Sequence, residues 1–258
     1  MLDKNSQNSN LPLVTVITSV LNGCKTLEYT IQSVLNQSYL NIEYIILDGG
    51  STDGSLDIIR KYKDELAFWS SEKDGGIYHA WNKALTIAKG EWLSFIGSDD
   101  VYKLDAIYKM VEVGLKSNVP LDYISGKTEL VYKNSIISIE GRPWKWSEFR
   151  KYVSTGHNGA IHNINLYKRY GVYDTSFRSS ADYEFLLRPG KNLKAGFIDE
   201  VTTEMNLGGI SNSSLVPILE SYKARKKTKS INLFLNLYLL LKGIILWYLK
   251  RYKNETSY

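Results

Sequence analysis

Residues 13–37 read LVTVITSVLNGCKTLEYTIQSVLNQ, and they decide the fold class. The first eight, 13–20, are β-branched and mostly apolar with no polar alternation. That pattern predicts a strand buried on both faces, as in a parallel sheet. Leu27, Ile31, Val34 and Leu35 then recur at helical spacing, so the strand feeds a helix. The alternation repeats along the chain. IEYIILD (42–48) predicts a second strand, broken by GGSTDGS, and Leu56, Ile58 and Ile59 predict a short helix. LAFWSSE (66–72) predicts a third strand, GGIYHAWNKALTIAKG (75–90) a helix stopped by Gly90, and EWLSFIG (91–97) a fourth strand. Strands alternating with helices in this way predict an α/β fold built on a mostly parallel sheet. Such sheets bind ligands beyond the carboxyl ends of their strands. Asp48 and the pair Asp99-Asp100 fall at two of those ends.

Further along, a helix is predicted from after Leu104 to about Lys116, and a hairpin over 121–140 turning at Lys133-Asn134. Helices are predicted again near 164–170 and 180–188. Neither internal repeats nor low-complexity segments interrupt the chain. At 258 residues, 43% hydrophobic and 23% charged, it has ordinary globular composition. One cysteine, Cys24, excludes a disulfide framework, and His79, His157 and His162 have no zinc-type spacing. The opening MLDKNSQNSN lacks an apolar core, which predicts no secretory signal and a reducing cytoplasm.

The net charge of +5 is unevenly spread. Residues 217–258 carry nine Lys or Arg against two Glu, a net +7, while 1–216 are net −2. The body is therefore not a basic, nucleic-acid-type surface. The tail's apolar runs, 231–241 and 243–249, are split by Lys242 and interrupted by Asn232 and Asn236. A spanning helix needs about 20 largely uncharged residues. A helix lying in a membrane interface, anchored by Trp247, tyrosines and flanking Lys/Arg, fits better. The competing reading is a helix packed on its own protein or on a partner subunit. The expected organisation is a flexible 1–12, a main domain 13–210 and a basic, apolar helical tail 211–258.

Two adjacent carboxylates at a strand end, Asp99-Asp100, suit a hard divalent cation such as Mn²⁺ or Mg²⁺. The plainer alternative is a helix N-cap ahead of VYKLDAIYKM. The loop from Asp48 to Ser55, DGGSTDGS, is rich in turn formers, and Ser51 or Asp53 could cap a helix. It matches neither a dinucleotide-binding nor a P-loop pattern. Asp182, in SADYEF, has the position of a helix cap, and a lone histidine such as His157 is more often a structural hydrogen-bonder than a catalyst.

Together the segments VTVITSVLN (14–22), ILDGGSTDGS (46–55), SEKDGGIYHAWNKAL (71–85), FIGSDDVY (95–102), HNGAIHNINLYKRYGVYDTSF (157–177) and ADYEFLLR (181–188) resemble the family 2 inverting glycosyltransferases. The likeness covers roughly 13–205 and looks most like the subgroup that builds bacterial O-antigen and capsular polysaccharide. It implies a GT-A fold, a nucleotide-sugar donor, expected to be a UDP-sugar, and a divalent cation, Mn²⁺ or Mg²⁺. By position, Thr18 and Val20 would line the nucleoside pocket. Asp48 would bond the uracil or ribose, and Asp74 would sit near the nucleotide. Asp100 would ligate the metal, and Asp99 would contact metal, ribose or sugar. Asp182 matches the general base and His157 a position near the acceptor or diphosphate. The sequence departs from the pattern at Gly75-Gly76 and His79, and at Gly97, where relatives more often have asparagine. No QxxRW motif of processive synthases follows, which implies one sugar per event.

The expected activity is transfer of one hexose-type sugar to a lipid-linked saccharide in surface polysaccharide synthesis. The expected place is the cytoplasmic face of the membrane, with the tail as peripheral anchor and the oligomeric state left open. A sugar nucleotidyltransferase would need a Gly-rich, basic loop after the first strand, where SVLNGCKTLEY has a single glycine. A catalytically inactive relative that scaffolds an assembly complex is the non-enzymatic alternative.

Overall fold

The computed structural model describes residues 11–133, 135–207 and 214–255, with side chains described as far as 249. Asn134 of the expected hairpin turn, most of the 1–12 segment and the boundary expected at 210/211 lie outside the described residues.

Strands β1 (Val14–Val20), β2 (Ile42–Asp48), β3 (Phe68–Ser71) and β4 (Trp92–Gly97) run parallel in the order β3-β2-β1-β4. The crossovers are α1 (Leu27–Leu35), α2 (Ser55–Lys61) and α3 (Ile77–Ile87). The sheet continues through β5 (Val101–Tyr102), β6 (Tyr123–Tyr132), β7 (Ser135–Glu140), β8 (Ile161–Asn163) and β9 (Ala195–Asn206). Its full order is β3-β2-β1-β4-β8-β6-β9-β5, with β7 paired to β6. β8 runs antiparallel to both β4 and β6, and β5 antiparallel to β9, so the sheet is mixed beyond β4. The remaining helices are α4 (Ala106–Lys116), α5 (Trp146–Phe149), α6 (Ile164–Tyr170), α7 (Ala181–Leu187), α8 (Val216–Thr228) and α9 (Leu233–Glu255).

Alternation along β1 sorts the core into two layers. Val14, Val16 and Val20 face α1, α2 and α4, meeting Leu27, Ile31, Ile59, Ile107 and Met110. Ile17 faces the other way, into a layer with Ile45, Leu93, Phe95, Trp81 of α3, Leu166 of α6 and Phe185 of α7. Each fully buried side chain of this kind contributes about 1.5–3 kcal/mol relative to exposure. Both faces of β1 are covered, which is why it carries no polar alternation. The α3 helix ends at Ile87, before Gly90, because Gly90 crosses close over β1: a Cβ there would lie 2.6 Å from the Thr15 amide nitrogen.

The tail is a helical hairpin docked on the domain. α9 runs back along α8, with Asn236 against Arg225 and Gly243 against Ile218. Arg225 is buried; it donates to Asn236 Oδ1 at 2.7 Å and to the Lys151 carbonyl at 3.1 Å. The asparagine that interrupts the apolar run thus serves an internal hydrogen bond. The far side of α9 leaves Phe234, Tyr238, Leu241, Ile245 and Leu249 exposed. Among the described residues no helix is long and apolar enough to cross a membrane.

Candidate active site

Parallel pairing puts the carboxyl ends of β2, β1 and β4 side by side: Val20 pairs with Asp48, and Ser19 with Gly97. One rim therefore carries the DGGSTDGS loop and the Asp99-Asp100 pair. Asp48 is buried, and its oxygens are taken up by its own loop and a neighbour. Oδ1 accepts from the Ser51 hydroxyl and Oδ2 from the Ser71 hydroxyl, each at 2.5 Å, with the Gly50 and Ser51 amides adding weaker bonds. Asp53 accepts from the Cys24 amide at 2.9 Å and from the Ser55 hydroxyl at 2.6 Å, so the loop is stitched to the turn after β1. Neither Ser51 nor Asp53 is the N-cap of α2; that position is Gly54, in the left-handed region at φ 100°. Asp74 bends its own turn by accepting from the Gly76 amide at 2.8 Å, and its carboxylate lies against Gly49. Asp74 and Asp48 are thereby neighbours.

Asp99-Asp100 is not a helix cap. The α4 N-cap is Asp105, and β5 intervenes. The two acids form the turn between β4 and β5, closed from the far side of the sheet by β9. Asp100 is 6% exposed; Oδ2 accepts from Asn158 Nδ2 at 2.8 Å and Oδ1 from the Asn206 amide at 3.0 Å. Burial, and then the charge of Asp99, push the Asp100 carboxyl up to about 7. Burial also raises Asp99, whose side chain accepts no hydrogen bond from a neighbour among the described residues. Gly97 leaves the space these carboxylates fill: a Cβ would lie 3.0 Å from Asp99 Oδ1 and closer still to Asp100 Oδ2. No cluster of three or more His, Cys, Asp or Glu among the described residues could enclose a metal alone. Two oxygen donors with a phosphate-bearing substrate suit Mg²⁺ or Mn²⁺, which take one or two carboxylates and complete their shell with phosphate and water. Destabilised, poorly solvated carboxylates are what such an ion would relieve.

Asp182 stands in the first turn of α7, whose N-cap is Ser180, and its Oδ1 accepts from the Tyr78 hydroxyl at 3.0 Å. Tyr78 comes from the first turn of α3, just after the Asp74 loop. Burial, reinforced by the Asp182 charge, holds the phenol well above its ordinary value, so it stays a donor. Tyr78 packs edge-on to Trp81 at 5.2 Å, and Trp81 stacks on His157 at 5.1 Å. His157 is buried, and its Nε2 pairs with the Tyr173 hydroxyl at 3.0 Å. Burial lowers its pKa, opposed by the Asp182 charge. The ring is thus part of the core beneath the site. The next residue, Asn158, reaches the rim: it binds Asp100 and accepts from the Gly97 amide at 3.2 Å. His157-Asn158 links the layer around Asp182 to Asp99-Asp100.

The structure separates Thr18 from this group. Thr18 is fully buried in the α1 layer, and its hydroxyl pairs with Tyr44 at 3.1 Å. Val20 stays at the rim but is buried against the turn at Gly23. Sequence reading passed over Tyr78, Gly97 as a packing residue, Asn158 and Asn206. The first three lie inside segments already singled out. Asn206 follows Asp100 by 106 residues and carries no local signal.

Residues 15–168 match the family described as Glycosyl transferase family 2. An uncharacterised glycosyltransferase of Mycobacterium tuberculosis is 29% identical over 211 residues, covering 79% of each chain. A putative teichuronic acid biosynthesis glycosyltransferase, TuaG of Bacillus subtilis, is 40% identical over 104 residues, 39% of this chain and 41% of its own. Among solved structures, S. aureus TarS 1-349 in complex with UDP-GlcNAc superposes with a TM-score of 0.70 at 18% identity, over 90% of this chain and 71% of that one. The mannosyltransferase PcManGT from Pyrobaculum calidifontis, in complex with GDP-Man and Mn²⁺, superposes at 0.66 and 18% identity, over 92% and 74%. The fold is the GT-A fold expected from the sequence.

Proposed function

The chain belongs to glycosyl transferase family 2 and is a transferase, and on that premise we propose that it moves one sugar from a UDP-sugar to a hydroxyl of a lipid-linked saccharide, with inversion, in surface polysaccharide synthesis. The observation that carries the reading is the β4–β5 turn. It presents a buried carboxylate, Asp100, and a partly buried one, Asp99, both pushed up by burial, at the rim shared with the Asp48 loop, with no helix for them to cap. The UDP-GlcNAc complex of TarS and the GDP-Man complex of PcManGT support a nucleotide-sugar donor, and TuaG supports a polysaccharide product.

In this reading Asp48 shapes the nucleoside end of the rim through its two serine partners, with Asp74 alongside. Asp100 and Asp99 hold Mn²⁺ or Mg²⁺, which when bound supplies positive charge for the departing diphosphate. Asn158 and the Asn206 amide fix the Asp100 rotamer. Asp182 takes the proton from the attacking hydroxyl, and Tyr78 aims its carboxylate. A single base on the face opposite the leaving group gives one displacement and inversion. The exposed apolar side of α9 rests on the cytoplasmic membrane surface, near a lipid-linked acceptor.

The test is nucleotide release from a panel of UDP-, GDP- and dTDP-sugars, with Mn²⁺, with Mg²⁺ and with chelator, alongside UDP binding by calorimetry. Asp182→Asn should lower turnover by about 10²- to 10⁴-fold while leaving UDP affinity within about twofold. Full turnover in Asp182→Asn would remove it as the base. Neither turnover nor UDP binding in the wild type would return the inactive-scaffold reading.

A further inference from the structure

Two of the tail's lysines, Lys223 and Lys227, which in the sequence read as part of a membrane-facing charge run, lie against the domain. Along α8, Glu220, Lys223 and Lys227 are spaced i, i+3 and i+7, so they share one face of the helix. All three grip the segment that leads into and forms α7. Glu220 accepts from two successive backbone amides, Arg178 at 2.7 Å and Ser179 at 2.9 Å, and from the Ser179 hydroxyl at 3.2 Å. Lys223 donates to the Ser176 carbonyl at 3.0 Å and hydroxyl at 2.9 Å, and lies 4.2 Å from the Phe177 ring centre. Lys227 bridges Asp174 at 2.7 Å and Glu184 at 3.0 Å. Glu184 is 1% exposed and is also held by Arg188. Asp182 sits between these clamp points, two residues before Glu184 and three after Ser179.

We propose that Glu220, Lys223 and Lys227 are positioning residues, a strap from the C-terminal hairpin that fixes the turn carrying Asp182. The proposal rests on Asp182 being the base. Two peptide N–H groups satisfied by one carboxylate set the entry angle of α7, and the Lys227 bridge sets its rotation through Glu184. The strap acts on the acceptor side of the reaction and not on the donor rim. It therefore bears on turnover and leaves nucleotide affinity alone. Misplacing a catalytic group by about 1 Å costs on the order of 10²-fold in rate.

The experiment uses the full chain with Glu220→Gln, Lys223→Met and Lys227→Met, singly and combined, and Lys227→Arg as the conservative variant. Hydrogen exchange of peptides covering 174–187 should quicken about tenfold or more in the combined variant, with β1 and β4 peptides unchanged. Turnover of the UDP-sugar that the wild type hydrolyses fastest should fall between about tenfold and a hundredfold. UDP affinity should hold within twofold, and Lys227→Arg should recover most of the rate. The single variants carry the same test if the combined one does not fold. Unchanged exchange in 174–187 would overturn the strap. So would faster exchange with wild-type turnover, because α7 would then not need fixing. If exchange quickens as expected but Asp182→Asn turns over the donor like the wild type, the strap stands as a structural element and the assignment of Asp182 as base falls instead.

Discussion

Replacing Gly97 by alanine tests whether the Asp99-Asp100 turn is the functional rim. An added Cβ would lie 3.0 Å from Asp99 Oδ1, 3.2 Å from Asp100 Cγ and closer still to Asp100 Oδ2. The obvious relief is to swing the Asp100 carboxylate away. That would break its bonds from Asn158 and from the Asn206 amide, each worth about 1.5–3 kcal/mol as a bond to a charged group. Shifting the turn instead is cheaper, at about 1–3 kcal/mol for overpacking, offset by about 0.4–1 kcal/mol from a stiffer unfolded chain. The net loss is about 1–2 kcal/mol. For a chain of this size that lowers Tm by about 2–8 °C. The functional loss should be larger in proportion, because displacing groups that orient a metal ligand costs about 10- to 100-fold in affinity or activity. The assay is calorimetry of UDP binding with Mn²⁺, paired with nucleotide release and a melting curve. Gly156→Ala is the control: its nearest neighbour, Thr128 Oγ1, would be at an ordinary 3.4 Å, so neither Tm nor UDP affinity should move. A Gly97→Ala protein with wild-type Mn²⁺-dependent UDP affinity would refute the placement of the donor at this turn.

Burial, and then the neighbouring His157, hold the His162 imidazole well below its ordinary value, so the folded state keeps it neutral. A depressed folded value gives stability that is present above the unfolded value and lost as pH falls through the window beneath it. From pH 7.5 to 5.5 the wild type should lose on the order of 1 kcal/mol more than His162→Phe, read from melts at the two pH values; parallel losses would show that His162 does not titrate differently on unfolding. On α9, Phe234→Asp with Leu241→Asp should abolish co-sedimentation with anionic lipid vesicles while leaving Tm and UDP affinity unchanged, since both side chains are exposed. Retained sedimentation would remove α9 as the anchor.

The first hundred residues were legible because their local and tertiary demands agree. β2 falls on 42–48 and β1 on 14–20, since a strand covered on both faces has to be apolar throughout. The acids at the ends of β2 and β4 were legible for the complementary reason: nothing in a buried strand calls for them. Legibility fails where a residue's role is set by a distant partner. β8 is three residues long, and β9 pairs with β6 about 70 residues upstream, so no local period announces either. Thr18 shows the limit of transferring roles by position. It lies on β1 as expected, but the period of two turns its side chain to the α1 layer and Tyr44.

The tail shows the same limit in its charges. Counted along the sequence, KARKKTK is a block of five cations suited to an anionic surface. In the fold, Arg225 is buried against Asn236, Lys223 is held at Ser176, and Lys227 faces Asp174 and Glu184. These acids are 40 or more residues upstream, so a window along the tail could not weigh them. Only Lys226 and Lys229 of the five remain with exposed side chains and no partner of this kind among the described residues. An electrostatic anchor at about 1 kcal/mol per surface cation is correspondingly weak there. Any hold on a membrane falls mainly to the apolar side of α9, whose attraction does not fade with salt as that of a basic run does.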